Sequence, residues 1–175
     1  MKYDPNIESR NGITLIDEHR VRKEAQLSTR EAFDYTRAVV KHFIRKPDPM
    51  VVPVYAFEVI EETPEKESRY GTYIYAYEMM RLGMLSRDER AVIDVSYPYY
   101  HNGIPVDVKH DILQMGWRSY PKLLKFLNAV FQQQRYQDIH SGNFMKDQDG
   151  EYRVIDLEGF NGYPLNQPKN DWITR

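Results

Sequence analysis

The chain has 175 residues, enough for one domain with a good core and too few for two full ones. Its 24 Lys and Arg against 26 Asp and Glu leave a formal charge of −2, with both signs mixed along the length, which removes the electrostatic case for bulk nucleic-acid or membrane binding. No cysteine occurs, so disulfides, thiol catalysis and thiolate metal sites are excluded together, in keeping with a reducing cytoplasm.

The start, Met1-Lys2-Tyr3-Asp4-Pro5-Asn6, is polar and carries no secretory signal; the longest apolar run, residues 50–57, contains Pro53 and is far too short to span a bilayer. A soluble intracellular chain is expected. Residues 2–24 read as short strands around turns. Asn11-Gly12 is a hairpin signal, Ile13-Thr14-Leu15-Ile16 follows as a strand, and Arg20-Val21-Arg22-Lys23 forms the next. Alternation on that strand sets Val21 and Lys23 on one face and the two arginines on the other, so an inward Val21 carries Lys23 inward. Ser28 or Thr29 is an N-cap for a helix to about Ile44, with Glu31 near the capping-box position. Phe33, Thr36, Val40 and Phe43-Ile44 make its apolar face, and Lys46-Pro47-Asp48-Pro49 ends it.

Residues 50–60 and 70–78 alternate as two strands, joined by a charged, solvated loop over residues 61–68. Ser86 caps a short helix through about Ile93, and residues 96–105 form an aromatic loop punctuated by Pro98 and Pro105. A helix is expected over residues 108–115. Pro121, at a helical N1 position, opens a stronger one through Gln134, whose Leu123, Leu124, Phe126, Leu127, Val130 and Phe131 make a broad apolar face. There is no internal repeat and no low-complexity segment.

That helix leads into Tyr136-Gln137-Asp138-Ile139-His140-Ser141-Gly142-Asn143-Phe144-Met145. A polar turn, Asp147-Gln148-Asp149-Gly150, follows, and an apolar strand, Tyr152 to Ile155, delivers Asp156 at its end. One carboxylate able to orient a hydroxyl, then an amide oxygen and a second carboxylate able to hold Mg²⁺ against phosphates, is what phosphoryl transfer requires. The order Asp138…Asn143…Asp156 resembles the catalytic loop and metal aspartate of the protein-kinase-like superfamily, with Tyr136 and Gln137 in place of its His and Arg, and Leu157-Glu158 in place of Phe-Gly. The variant D-x-H-x-G-N followed by I-D-x-E looks like the aminoglycoside and choline phosphotransferase branch. D-x-H-S-G-N-x-M also looks like the early host-takeover protein kinases of T7-type phages, and small bacterial effector kinases share the reduced style.

The resemblance implies an α+β fold: a minimal two-lobed kinase-like domain over residues 1–175, with an antiparallel-sheet N-lobe and one helix over residues 1–80 and a truncated helical C-lobe over residues 81–175. It implies ATP and Mg²⁺ as cofactors, Asp138 as the residue that orients the attacking hydroxyl, and Asn143 and Asp156 as metal ligands. Glu158 is a further ligand or a brace. His140 stands where protein kinases carry a lysine, either as a protonated contact to phosphate or as a neutral loop brace. Lys23 is the best match to the strand lysine, although a solvated strand-edge lysine has the same pattern, and no G-x-G-x-x-G precedes it. Glu31 either pairs with that lysine or serves the helix dipole alone. Glu78 and Met80 fall in the segment that would meet adenine. Three functions follow: a minimal Ser/Thr protein kinase acting on host proteins in the cytoplasm, a small-molecule phosphotransferase, or a pseudokinase that binds a protein partner without catalysis.

Overall fold

The computed structural model describes residues 12–67, 69–103, 118–136 and 138–160. The fold is α+β, and the chain divides into two compact units, Met1–Gly83 and Met84–Arg175.

The first unit is a four-stranded antiparallel sheet in the order β1-β2-β4-β3, with β1 at Ile13–Leu15, β2 at Arg20–Leu27, β3 at Val54–Thr63 and β4 at Thr72–Met80. Helix α1, Arg30–Arg45, covers one face. The central strand β4 is rich in tyrosine because an amphipathic ring suits a pleated surface buried on one side. Tyr73, Tyr75 and Tyr77 are all buried; Phe33 of α1 stacks on Tyr73 with ring centroids 5.1 Å apart, and Phe57 of β3 stacks on Tyr75 at 5.6 Å. Val21, Lys23 and Ala25 of β2 are buried beside them, with Lys23 opposite Tyr77.

Local chemistry sets the ends of these elements. The turn between β1 and β2 is organised by Asp17, whose Oδ1 accepts from the amides of His19 and Arg20 at 2.8 and 2.9 Å. Gly12, expected in a hairpin turn ahead of β1, extends the β1–β2 pairing, since its carbonyl accepts from the Glu24 amide at 2.8 Å; Asn11 lies outside the described residues. Thr29 caps α1 by accepting from the Ala32 amide at 3.3 Å. Ala32 therefore holds the N3 position and Glu31 does not close a capping box. The buried face of α1 runs through Val39 and Val40 to Phe43, leaving Ile44 at its edge. Strand β3 extends through Thr63, into the stretch read as loop. Its acidic end is tolerated because Glu62 pairs with Arg30 at 2.6 Å, and just beyond the strand Glu65 accepts from the Arg30 amide and the Tyr73 hydroxyl, both at 2.6 Å.

In the second unit, helix α2 spans Arg87–His101 and helix α3 spans Pro121–Gln133, followed by a hairpin of β5, Phe144–Lys146, and β6, Tyr152–Val154. Ser86 and Glu89 form a full capping box on α2. The helix does not stop near Ile93. It passes through Pro98 to His101, because buried Tyr100 donates to Asn128 at 2.7 Å and Ile93, Ser96 and Tyr100 bury one face. Pro98 withholds the amide that would bond to the Asp94 carbonyl, so this turn is held by tertiary contacts against local preference. The helix expected over residues 108–115 lies outside the described residues. Leu123, Leu124, Leu127 and Val130 bury the face of α3, and its Phe126 ring meets Phe144 of β5 edge-on at 5.8 Å. Among the described residues no helix is long and apolar enough to cross a membrane.

Candidate active site

Helix α3 is turned into the loop by Arg135, a non-glycine residue at φ 54°, and the Tyr136 amide reaches back to the Val130 carbonyl at 3.3 Å. Tyr136 is fully buried. Its ring meets Phe160 edge-on at 4.8 Å, and its hydroxyl donates to the Asp156 carbonyl at 3.0 Å. One side chain thus ties the entry of the loop to the end of the strand that follows. The approach is close enough to demand a glycine: a Cβ on Gly159 would lie 2.5 Å from the Tyr136 hydroxyl oxygen.

Between these anchors the backbone folds onto itself. The His140 amide donates to the Asp138 carbonyl, and a short 3-10 turn, Ser141–Asn143, brings the Asn143 amide to the His140 carbonyl, both at 3.1 Å. Asn143 is buried, and its Nδ2 donates twice to Asp138, to the carbonyl at 2.8 Å and to Oδ2 at 2.9 Å. Both amide hydrogens are thereby used. Among the described residues nothing hydrogen-bonds Asn143 Oδ1 or Asp138 Oδ1, so each remains an acceptor for something else. The Asn143 carbonyl accepts from the Ile155 amide at 2.9 Å, which fixes Asp156 one residue from that contact. The 12 positions from Asn143 to Ile155 are closed in this way by one hairpin, whose turn is held by Asp147. Its Oδ1 accepts from the amides of Asp149 and Glu151, its Oδ2 takes Arg153 at 2.9 Å, and Gly150 supplies the φ of 79°.

His140 braces the turn. Its Nδ1 accepts from the Gly142 amide at 3.2 Å, which requires an unprotonated Nδ1 and places the ring proton on Nε2, 3.6 Å from Asp138 Oδ2. Glu158 sits in the 3-10 turn Leu157–Gly159 directly after Asp156, half-buried.

Two groups at this end of the unit were not visible as site residues. Asp94 of α2 receives Ser141 twice, Oδ1 from the amide and Oδ2 from the hydroxyl, both at 2.8 Å. Nothing in the sequence around Asp94 signals a contact 47 positions away. Glu89 is 3% exposed and accepts from Lys146 at 2.6 Å, the Ser86 amide at 2.8 Å and the Tyr152 hydroxyl at 2.9 Å. Burial pushes its carboxyl up, but these donors outweigh burial and hold it below the ordinary value. The cap at Ser86 was legible; the capping box with Glu89 and its link to the hairpin were not.

The remaining residues singled out by sequence lie in the first unit. Lys23 is buried on the inner face of β2, its Nζ 5.7 Å from the Tyr77 ring centroid. Glu31 is exposed and forms no ion pair among the described residues, so it does not meet Lys23 and its place in the first turn of α1 is what it has. Glu78 faces the other side of the sheet and lies 3.6 Å from Arg20. The Met80 and Arg81 amides donate within the unit to the carbonyls of Pro53 at 2.9 Å and His19 at 2.7 Å.

The Mg²⁺ implied by the resemblance would take oxygen donors, and the second unit carries oxygen-bearing side chains at the positions expected for them. Asn143 presents a hard amide oxygen, because its nitrogen is committed to Asp138, and Asp156 and Glu158 add carboxylates. Among the described residues no three His, Cys, Asp or Glu side chains cluster as a metal site. Mg²⁺ bound through one or two protein ligands plus phosphate oxygens needs no such cluster. No protein-family model matches the chain, and no curated protein matches it.

Proposed function

We propose that the chain transfers the γ-phosphoryl group of Mg-ATP to a hydroxyl, as a minimal Ser/Thr protein kinase of phage or effector type acting on host proteins in the cytoplasm. The observation that supports this best is the Asp138–Asn143 pair, in which the bonds of Asn143 Nδ2 leave one oxygen on each side chain open. In this reading Asp138 Oδ1 accepts the hydrogen bond of the attacking hydroxyl and orients its oxygen, while Asn143 Oδ1 and Asp156 hold the metal. The metal supplies charge neutralisation at the phosphates. His140 and Ser141 keep the loop in shape, and Lys23 offsets phosphate charge.

The test is incubation with Mg-ATP labelled in the γ-phosphate, against a bacterial lysate, with Asp138→Ala and Asp156→Ala as controls. Label in host proteins that disappears in both variants supports the reading. Label that persists equally in all three proteins comes from a contaminant and sinks it.

A second reading, a binding module without catalysis, draws on the first unit. Glu31 makes no ion pair among the described residues, and the Met80 and Arg81 amides are already bonded. It predicts no transfer and no ATP-induced change in melting temperature.

A further inference from the structure

The turn that carries Asn143 is three residues long, and a 3-10 turn of that length does not hold itself. Its amides are nevertheless satisfied in succession: Ser141 by Asp94, Gly142 by His140 Nδ1, and Asn143 by the His140 carbonyl. The last two partners belong to the loop itself and move with it. Asp94 does not. It sits in the middle of α2, a helix closed at its start by a full capping box and buried along Ile93, Ser96 and Tyr100. Two charge-assisted bonds of 2.8 Å to one serine fix both the position of its backbone and the rotation of its side chain.

We infer that Asp94 is a positioning residue that sets the Ser141–Asn143 turn, and through it the Asp138–Asn143 pair, for the phosphoryl transfer proposed above, on which its kinetic role rests. The chain of contacts is short. Asp94 fixes the Ser141 amide; the next amide, Gly142, must then point at His140 Nδ1; and the Asn143 amide closes on the His140 carbonyl, aiming Nδ2 at Asp138. Without Asp94, Ser141 loses its acceptor and Gly142, the least restrained residue type, follows it. Asp94 does not touch the reacting groups. Its effect belongs to the orientation of Asp138 and Asn143, so it acts on the rate of transfer and not on nucleotide affinity.

Asn at position 94 separates geometry from charge. An amide can accept from the Ser141 amide through Oδ1 and donate to the Ser141 hydroxyl oxygen through Nδ2, keeping both bonds without a carboxylate. The experiment uses the full chain and compares Asp94→Ala, Asp94→Asn and Ser141→Ala with wild type, in two measurements. The first is the ¹⁵N NMR signature of the His140 ring, assigned with His140→Gln, together with hydrogen exchange at Gly142. Wild type and Asp94→Asn show the Nε2-protonated tautomer and a protected amide; Asp94→Ala shows a mixed tautomer and faster exchange by roughly tenfold or more. The second is transfer kinetics. Asp94→Ala lowers kcat by roughly 10-fold to 100-fold with KM for ATP within about twofold, Ser141→Ala lies between, and Asp94→Asn recovers most of the rate. An unchanged His140 signature and unchanged exchange in a folded Asp94→Ala protein overturn the inference. So does a fall confined to KM. Absence of transfer in wild type strikes the proposed function, and the ring signature still decides whether Asp94 sets the turn.

Discussion

Asp138 and Asn143 make opposite demands on their surroundings, and one contact meets both. Asn143 must be buried to be rigid, yet a buried amide with an unused N–H is costly, and donation to Asp138 removes that cost while leaving Oδ1 open. Asp138→Ala is therefore expected to lower transfer by roughly 10²–10⁴-fold, the usual worth of a positioned acid or base, measured as kcat/KM on a labelled host substrate. Asp156→Ala is expected to raise the concentration of Mg-ATP needed as well, which a KM-against-kcat comparison separates. Gly159 is the other residue whose identity is fixed by contact. An alanine there places Cβ within 2.6 Å of three atoms of the Tyr136 phenol, and the ring is buried on both sides. Gly159→Ala should cost about 1–3 kcal/mol by overpacking, read by urea denaturation. Tyr136→Phe combined with it removes only the oxygen contact, since the ring carbons remain, and should recover a part of that loss. Full stability in Gly159→Ala alone would show that the ring is free to move aside.

At the scale of elements, the second unit is held by charges that the helices bring to the hairpin. Glu89 has a folded value below its ordinary 4.5, so its contribution is complete above that value and is lost as the pH falls through the lower folded one. Glu89→Gln should cost about 1–3 kcal/mol at neutral pH and flatten the acid limb of a stability–pH profile, because Gln has no proton to take up there. An acid limb of unchanged steepness would assign it to other carboxylates, Asp147 first among them, whose carboxyl is also held low. Helix α2 offers a test of the opposite sign. Pro98 sits mid-helix without an amide to give Asp94, so Pro98→Ala should raise stability by about 1–3 kcal/mol, seen as a higher melting temperature. That proline also explains why the sequence signals a shorter helix than the chain forms. Tyr-Pro-Tyr-Tyr is locally a loop signal, and only the burial of Tyr100 and its bond to Asn128 override it. Elements with local signals were legible: the N-cap of α1, Pro121 opening α3, the Asp147–Gly150 turn, and the alternation that carries Lys23 inward. Contacts made by long-range packing were not, which is why Asp94 and the hairpin role of Glu89 went unread, and why Glu31, near a capping position by spacing, has no such bond.

At the scale of the whole molecule, the proposed function asks for a cation to offset phosphate charge, and Lys23 of the first unit is the candidate. β2 shows strict alternation: Val21, Lys23 and Ala25 are buried, while Arg20 and Arg22 lie on the outer face, Arg22 paired with Glu58 at 2.8 Å. Lys23 is 4% exposed, with its Nζ 5.7 Å from the Tyr77 ring centroid, and under the proposed function it is the cation of the first unit that meets the triphosphate. A ligand that binds only the folded chain raises its melting temperature, by an amount equivalent to about 2.7 kcal/mol at 100 times its Kd. Lys23→Ala should therefore abolish the shift that Mg-ATP produces, and Arg22→Ala should leave it nearly intact, each variant being compared with itself in the absence of nucleotide so that its own stability cancels. Lys23→Met keeps the apolar stem against Tyr77 and removes only the charge, so a lost shift in that variant as well assigns the effect to the ammonium. The reverse pattern, with the shift lost in Arg22→Ala and kept in both Lys23 variants, would move the phosphate contact to the outer face of the sheet and leave Lys23 as a packing residue.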